Sequence, residues 1–274
     1  MPAIFPERND FYPSPSTVDG VVEFLRSRKK AEGGFSASPK LPATIEDTYC
    51  ALKVVHFLEN LKSNVANFGS FKRGPTKFLI RCIDEGIVKG PKNLYQVLWC
   101  VEFCEFEKSL LQKVPIADKF LTGASLEAFY YLTKTREILP LKCVANLGVP
   151  EIPVKDFLAS GTLEERWKAL YICFASGCLE NRSQFDEIVE WVLQCQNSDG
   201  GFGFLPGTTS YIENCHFALN ILRILNSALP SWRRKAVKQF AIACRTRSGG
   251  FSRRPDAAPF MDSTYHAMAV LSDF

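Results

Sequence analysis

With 274 residues, 46% of them hydrophobic and 23% charged, the chain carries enough apolar material for a large core and is not a disordered polypeptide. The net charge of +4 is mild and its densest basic cluster, Arg26, Arg28, Lys29 and Lys30, sits at a predicted helix end, so nucleic acid is not an expected partner. No apolar run is long enough to span a membrane, and the stretch from Met1 to Asp10 lacks the continuous apolar core of a signal peptide. The ten cysteines include no CxxC pair and fall mostly within apolar helical patterns, as at Cys82, Cys100, Cys104 and Cys173. Reduced, buried thiols and a cytoplasmic location are therefore expected.

Pro2, Pro6, Pro13 and Pro15 make residues 1–15 an extended lead-in to a single domain over 16–274. Ser16-Thr-Val-Asp19 has the spacing of a capping box and opens a predicted helix to about Lys30. A second helix runs from about Ala43 to Leu61, with Ala51, Val54, Val55 and Leu58 at helical spacing. Pro75 suits the first turn of a helix to about Glu85, and Asn93–Phe106 follows as a strongly apolar one. A short segment at 110–120 leads to Leu126–Leu139, and residues 141–153 read as a surface loop. Further helices are predicted at Val154–Ala159, Leu163–Ala175, Ser183–Gln196, Tyr211–Leu225, Ser231–Arg245 and Ala258–Phe274, about twelve in all and no strands.

Three stretches are copies of one unit. Gly33-Gly34-Phe35, Gly200-Gly201-Phe202 and Gly249-Gly250-Phe251 each have a Pro four residues after the Phe and an acid (Glu46, Glu213, Asp262) eleven after it. Thr48, Cys215 or Thr264 stands thirteen after it. The last two copies are 49 residues apart and the first two 167, which leaves room for three degenerate units between them. Six helical hairpins can stack as an open solenoid or close into a ring, and the pattern does not choose between these.

The unit resembles the prenyltransferase and squalene-oxidase repeat of the terpenoid cyclase and protein prenyltransferase superfamily, and the chain is most similar in kind to protein prenyltransferase β subunits. The resemblance implies an all-α fold, an α/α toroid in which the helices following Gly-Gly-Phe form an inner barrel around an apolar cavity. On that reading the inner helices start at one rim, where their N-termini suit a diphosphate. Trp99, Tyr130, Trp167, Tyr171, Phe217 and Tyr265 would line the cavity and take an isoprenoid chain, or serve as plain core.

The same resemblance implies candidate chemistry. Protein prenyltransferases hold one zinc ion with Asp-x-Cys and a His from another repeat, and the ion activates a substrate thiol. Glu213-x-Cys215 stands at the first pair, but Ser263 stands where the His is expected, and His266 lies three residues further on. Thr48 and Thr264 occupy the position of Cys215 in the other copies, so Cys215 also reads as a small core residue. The cyclase branch uses an acid motif that falls on Thr44-Ile-Glu46-Asp47-Thr48, making Glu46 and Asp47 candidate proton donors, or first-turn acids facing a helix dipole. For diphosphate, Arg254 has the offset of the family's arginine, with Arg253 beside it. The implied function is transfer of a prenyl group from an isoprenoid diphosphate to an acceptor, together with a helical partner subunit. The alternatives are a toroid that binds an isoprenoid or a protein without chemistry, and a small protonation-initiated cyclase.

Overall fold

The computed structural model describes residues 13–61, 68–105, 125–138, 154–177 and 182–272. Where apolar residues recur at helical spacing, helices form: α1 (Pro15–Arg28), α2 (Ile45–Asn60), α3 (Gly69–Asp84), α4 (Gly90–Phe103) and α5 (Leu126–Ile138). The second half adds α6 (Val154–Ser160), α7 (Leu163–Ala175), α8 (Arg182–Gln194), α9 (Ile212–Ile224), α10 (Ser231–Ala243) and α11 (Met261–Ser272). The lead-in up to residue 12, the segment at 110–120 and the loop at 141–153 lie outside the described residues. Among the described residues there are only isolated β-bridges, such as Lys29 to Phe35 and Phe35 to Thr44, and no helix is long and apolar enough to cross a membrane. Six of the eight described cysteines are buried.

Several boundaries differ from expectation by a few residues, and two of them have a clear local cause. The cap of α1 is Ser14, whose Oγ accepts the Thr17 N–H at 3.3 Å, and Pro15 takes a first-turn position where no N–H is needed. Pro75 lies inside α3, which starts at Gly69, because Phe71 is buried against Phe35 (ring centroids 6.3 Å apart) and draws the preceding turn into the helix.

The solenoid-or-ring question is decided by packing. Helices α2, α4, α5, α7, α9 and α11 each pack on the next, and α11 packs on α2, so the inner helices form a closed ring. The other helices flank it: α3 on α2, α6 on α7, α8 on α9 and α10 on α11.

The Gly-Gly-Phe loops tie these two layers together. Phe35, Phe202 and Phe251 are completely buried. Gly249 has φ +87° and lies so close to α1 that an added Cβ would sit 2.0 Å from the Gly20 carbonyl oxygen, while one on Gly250 would meet the Phe24 ring at 2.5 Å. Loop 33–34 meets Gly74 and Phe78 of α3 in the same way, and loop 200–201 meets Ala236 and Phe240 of α10. Each loop thus needs a small residue and, four positions later, a Phe on the helix it touches. Because the last loop finds that pair on the first helix, the chain's two ends seal the ring, and the Arg245 guanidinium donates to the Ser16 carbonyl at 2.6 Å across the seam.

Candidate functional site: the central cavity

The six inner helices run in register, so equivalent positions form tiers around a cavity of about 1110 Å³. Side chains separated by three and then four residues share one helix face. Near the N-termini lies a charged rim of Glu46, Lys92, Glu127, Glu164, Glu213 and Asp262. Three residues further along each helix comes a girdle of Tyr49, Tyr95, Tyr130, Trp167, His216 and Tyr265. The rings meet edge to face: Tyr49 lies 5.9 Å from Tyr95 and 6.2 Å from Tyr265, and Tyr130 lies 6.0 Å from Trp167. Four residues further still are Lys53 on α2, Lys134 on α5, Tyr171 on α7 and Asn220 on α9.

At the rim the charges are already paired. Lys92 contacts Glu46 at 2.7 Å, Lys168 contacts Glu164 at 2.8 Å and Glu127 at 3.6 Å, and Arg253 bonds Glu213 while its guanidinium lies 4.3 Å from the Tyr211 ring centre. Helix N–H groups are engaged too. The Leu163 and Ile212 N–H groups donate to the carbonyls of Phe204 and Arg253, both at 2.9 Å, and the Ser263 N–H donates to Asp262 Oδ1 at 2.6 Å. Burial pushes the Glu213 carboxyl up, against the opposing pull of the Arg253 hydrogen bond.

Glu46 and Asp47 diverge. Only Glu46 borders the central cavity; Asp47 is bonded to Thr44, the cap of α2, accepting from the Thr44 hydroxyl at 2.7 Å while its own N–H donates to Thr44 Oγ1 at 2.9 Å. It borders a separate hollow of about 610 Å³ with Phe78 and Arg81. Burial raises the Asp47 carboxyl, but its geometry is that of a cap. Of the other expected residues, Arg253, Arg254, Tyr265, Trp167, Tyr171, Tyr130 and Phe217 all border the cavity. Trp99 does not; it lies under the Lys53 ammonium, 4.0 Å from its ring centre, and stacks on Phe103.

Cys215 is turned away from the cavity. It is completely buried, its Sγ donates to the Tyr211 carbonyl at 3.5 Å, and the Phe202 N–H points at its sulfur. Thr48 and Thr264 do the same work in the other copies: each Oγ1 accepts the Phe35 or Phe251 N–H at 3.0 Å and donates to the Thr44 or Phe260 carbonyl. His266 faces the cavity, but its Nδ1 lies 2.8 Å from Nδ1 of His216, so one ring donates and the other accepts. Burial lowers both imidazoles, His266 to about 4, keeping the pair neutral near pH 7.

The model of the prenyltransferase alpha-alpha toroid domain matches residues 7–74 and 155–273, more than half of the chain. The chain belongs to the prenyltransferase α/α-toroid family. It is also 28% identical over 171 residues to the geranylgeranyl transferase type-2 subunit beta of Candida albicans, a match covering 60% of this chain and 49% of that protein. The chain therefore spans about half the length of the relative it matches.

The zinc chemistry associated with prenyltransferases needs three ligands at one point, and these residues do not fit it. Glu213 is held by Arg253, Cys215 clamps a loop, His266 is bound to His216, and among the described residues no three His, Cys, Asp or Glu side chains are grouped to hold a metal ion. What sequence reasoning missed in this toroid is the lower tier. Lys53 and Lys134 each stand four residues after a girdle tyrosine, Tyr49 or Tyr130, and seven after a rim acid, Glu46 or Glu127. A lysine in a cavity-facing stripe is the signal that was available.

Proposed function

We propose that this chain binds an isoprenoid in its central cavity, as the toroid subunit of a prenyltransferase-type assembly that passes the prenyl group to an acceptor. The observation that carries this is the aromatic girdle around a cavity whose volume, about 1110 Å³, is just above the usual span of small-molecule sites, about 300–1,000 Å³. The isolated alkenes and methyl branches of a prenyl chain offer apolar, polarisable surface to such rings. A helical partner subunit belongs to the proposal, because the relative is named as one subunit of a transferase. Exposed Leu41, Phe204, Leu205 and Phe260, in the loops that lead into the inner helices, support it with apolar surface near the mouth. The test is titration of geranylgeraniol into the purified chain, read by intrinsic tryptophan fluorescence, with Trp167→Phe identifying the share of the cavity tryptophan. Saturable quenching that Tyr130→Ala weakens is expected; absence of binding to the wild-type chain would remove the reading.

A second reading, an isoprenoid-binding toroid that performs no transfer, is favoured by the loop-clamping position of Cys215. Turnover of a labelled allylic diphosphate by the chain with its co-purified partner would overturn the second reading. Its absence, with binding intact, would select it over the first.

A further inference from the structure

Charge is segregated along this chain. From Asn214 to Pro255 there is no Asp or Glu, and nine of the 33 Lys and Arg residues fall there; the other 24 share the rest of the chain with all 29 acids. Of the nine, Arg223, Arg253 and Arg254 border the central cavity, and the remaining six lie on α10 and the loop that follows it. Along α10, Trp232, Lys235, Gln239 and Ile242 stand at i, i+3, i+7 and i+10 and form one helix face. All four are exposed, Trp232 by 65% and Ile242 by 52%. Val237, Phe240 and Ala241, all buried, fix the opposite face on the protein, so this stripe points outward. Half-buried Lys238 flanks it, and exposed Arg245 and Arg247 continue the positive charge past the helix end.

Among the described residues no carboxylate forms an ion pair with Lys235, Arg245 or Arg247. The neighbouring outer helices do carry acids. Asp186, Glu187 and Glu190 are on α8, which Arg233 meets at the Leu193 carbonyl, and Asp19 and Glu23 are on α1, which Arg245 meets at the Ser16 carbonyl. They confine the cationic strip to the width of one helix, with roughly 15 Å between Trp232 and Ile242. A nucleic acid would satisfy the cations of such a strip but leave its Trp and Ile in water. An anionic bilayer takes both: Lys and Arg reach lipid phosphates while Trp and Ile enter the apolar edge of the headgroup layer. We propose that α10 is the helix by which this protein docks on anionic membranes, with Trp232 and Ile242 in the headgroup layer and Lys235, Lys238, Arg245 and Arg247 on lipid phosphates. Docking of this kind is independent of what the cavity holds, and it sets the wall of the toroid against the phase in which long prenyl chains dissolve.

Sedimentation of the full chain with vesicles tests this, comparing phosphatidylcholine alone with phosphatidylcholine containing one quarter phosphatidylglycerol. The chain is expected to bind the anionic vesicles at least about tenfold more tightly than the neutral ones, and to be released as salt is raised. Lys235→Gln with Arg247→Gln should weaken binding at least about tenfold, given roughly fivefold per cation near such a surface. Trp232→Ala with Ile242→Ser should weaken it by a similar factor, and the blue shift of tryptophan emission on vesicles should vanish in Trp232→Phe. All these sites are exposed, and an unchanged urea midpoint shows that each variant folds. Arg26→Gln with Lys30→Gln, in the basic cluster at the end of α1, should change nothing. Failure to bind anionic vesicles, equal binding to neutral ones, or loss only with Arg26 and Lys30 overturns the assignment. Displacement of the vesicles by a duplex oligonucleotide whose binding needs Lys235 and Arg247 but not Trp232 and Ile242 also overturns it, giving the face to nucleic acid. Geranylgeraniol titration reads the cavity separately, so neither result decides the other.

Discussion

Thr48→Val isolates the bond that holds each Gly-Gly-Phe loop to its inner helix. The substitution keeps the shape and removes the hydroxyl that accepts the Phe35 N–H at 3.0 Å, between two residues that are both completely buried. The Thr44 carbonyl still receives the Thr48 N–H at 3.1 Å, so the loss falls on one orphaned N–H, worth about 1–3 kcal/mol. Cys215→Thr is the converse change. It places a hydroxyl where the other two copies have one, and is expected to be neutral or to stabilise by up to about 1 kcal/mol. Equilibrium unfolding in urea measures both, as a change in midpoint at constant slope. A loss below about 0.5 kcal/mol for Thr48→Val, or above about 2 kcal/mol for Cys215→Thr, would refute the clamp and return Cys215 to the candidate ligands.

The loop–helix contacts make a second test: Gly249→Ala, at φ +87° with its Cβ 2.0 Å from the Gly20 carbonyl, should cost more than about 3 kcal/mol and lower the melting temperature sharply. Gly86→Ala, at φ +66° but facing open space, should cost only about 1 kcal/mol. The buried imidazole pair sets a pH dependence. Between pH 6.5 and about 4 the unfolded chain takes up a proton that folded His266 refuses, so stability should fall on acidification by about 3 kcal/mol from this group. Asp47 and Glu213, whose carboxyls are raised, act in the opposite direction, so His266→Phe is expected to flatten the slope; an unchanged slope would remove the assignment.

Much of the fold was legible because it is written as local repetition. Helical spacing placed α7 from Leu163 to Ala175 to the residue. The offsets after each Phe put Glu46, Glu213 and Asp262 in the first turns of α2, α9 and α11, although the expected starts at Ala43, Tyr211 and Ala258 were one to three residues early. The aromatic stripe was legible too, since Tyr130, Trp167 and Tyr265 stand at equivalent positions on three inner helices. The small-residue and Phe pairs that receive the loops, Gly20 with Phe24 and Gly74 with Phe78, are equally periodic, yet they acquire meaning only once the loops are seen against them.

The site was less legible because one-dimensional spacing does not say which way a side chain turns or what it meets. Glu213 and Cys215 are two residues apart, but a helix turns about 100° per residue, so one carboxylate reaches the mouth while the thiol faces the loop behind. Lys53 and Lys134 lie 81 residues apart and become one feature only through ring closure. From the sequence alone came an all-helical chain of repeated hairpins with one aromatic face. The tertiary structure decided that the hairpins close on themselves, since the last loop finds Gly20 and Phe24 on the first helix. It also decided that the cavity so formed has paired acids and bases at its mouth and Lys53 and Lys134 deeper in, since depth along parallel helices sorts charges that the sequence leaves scattered.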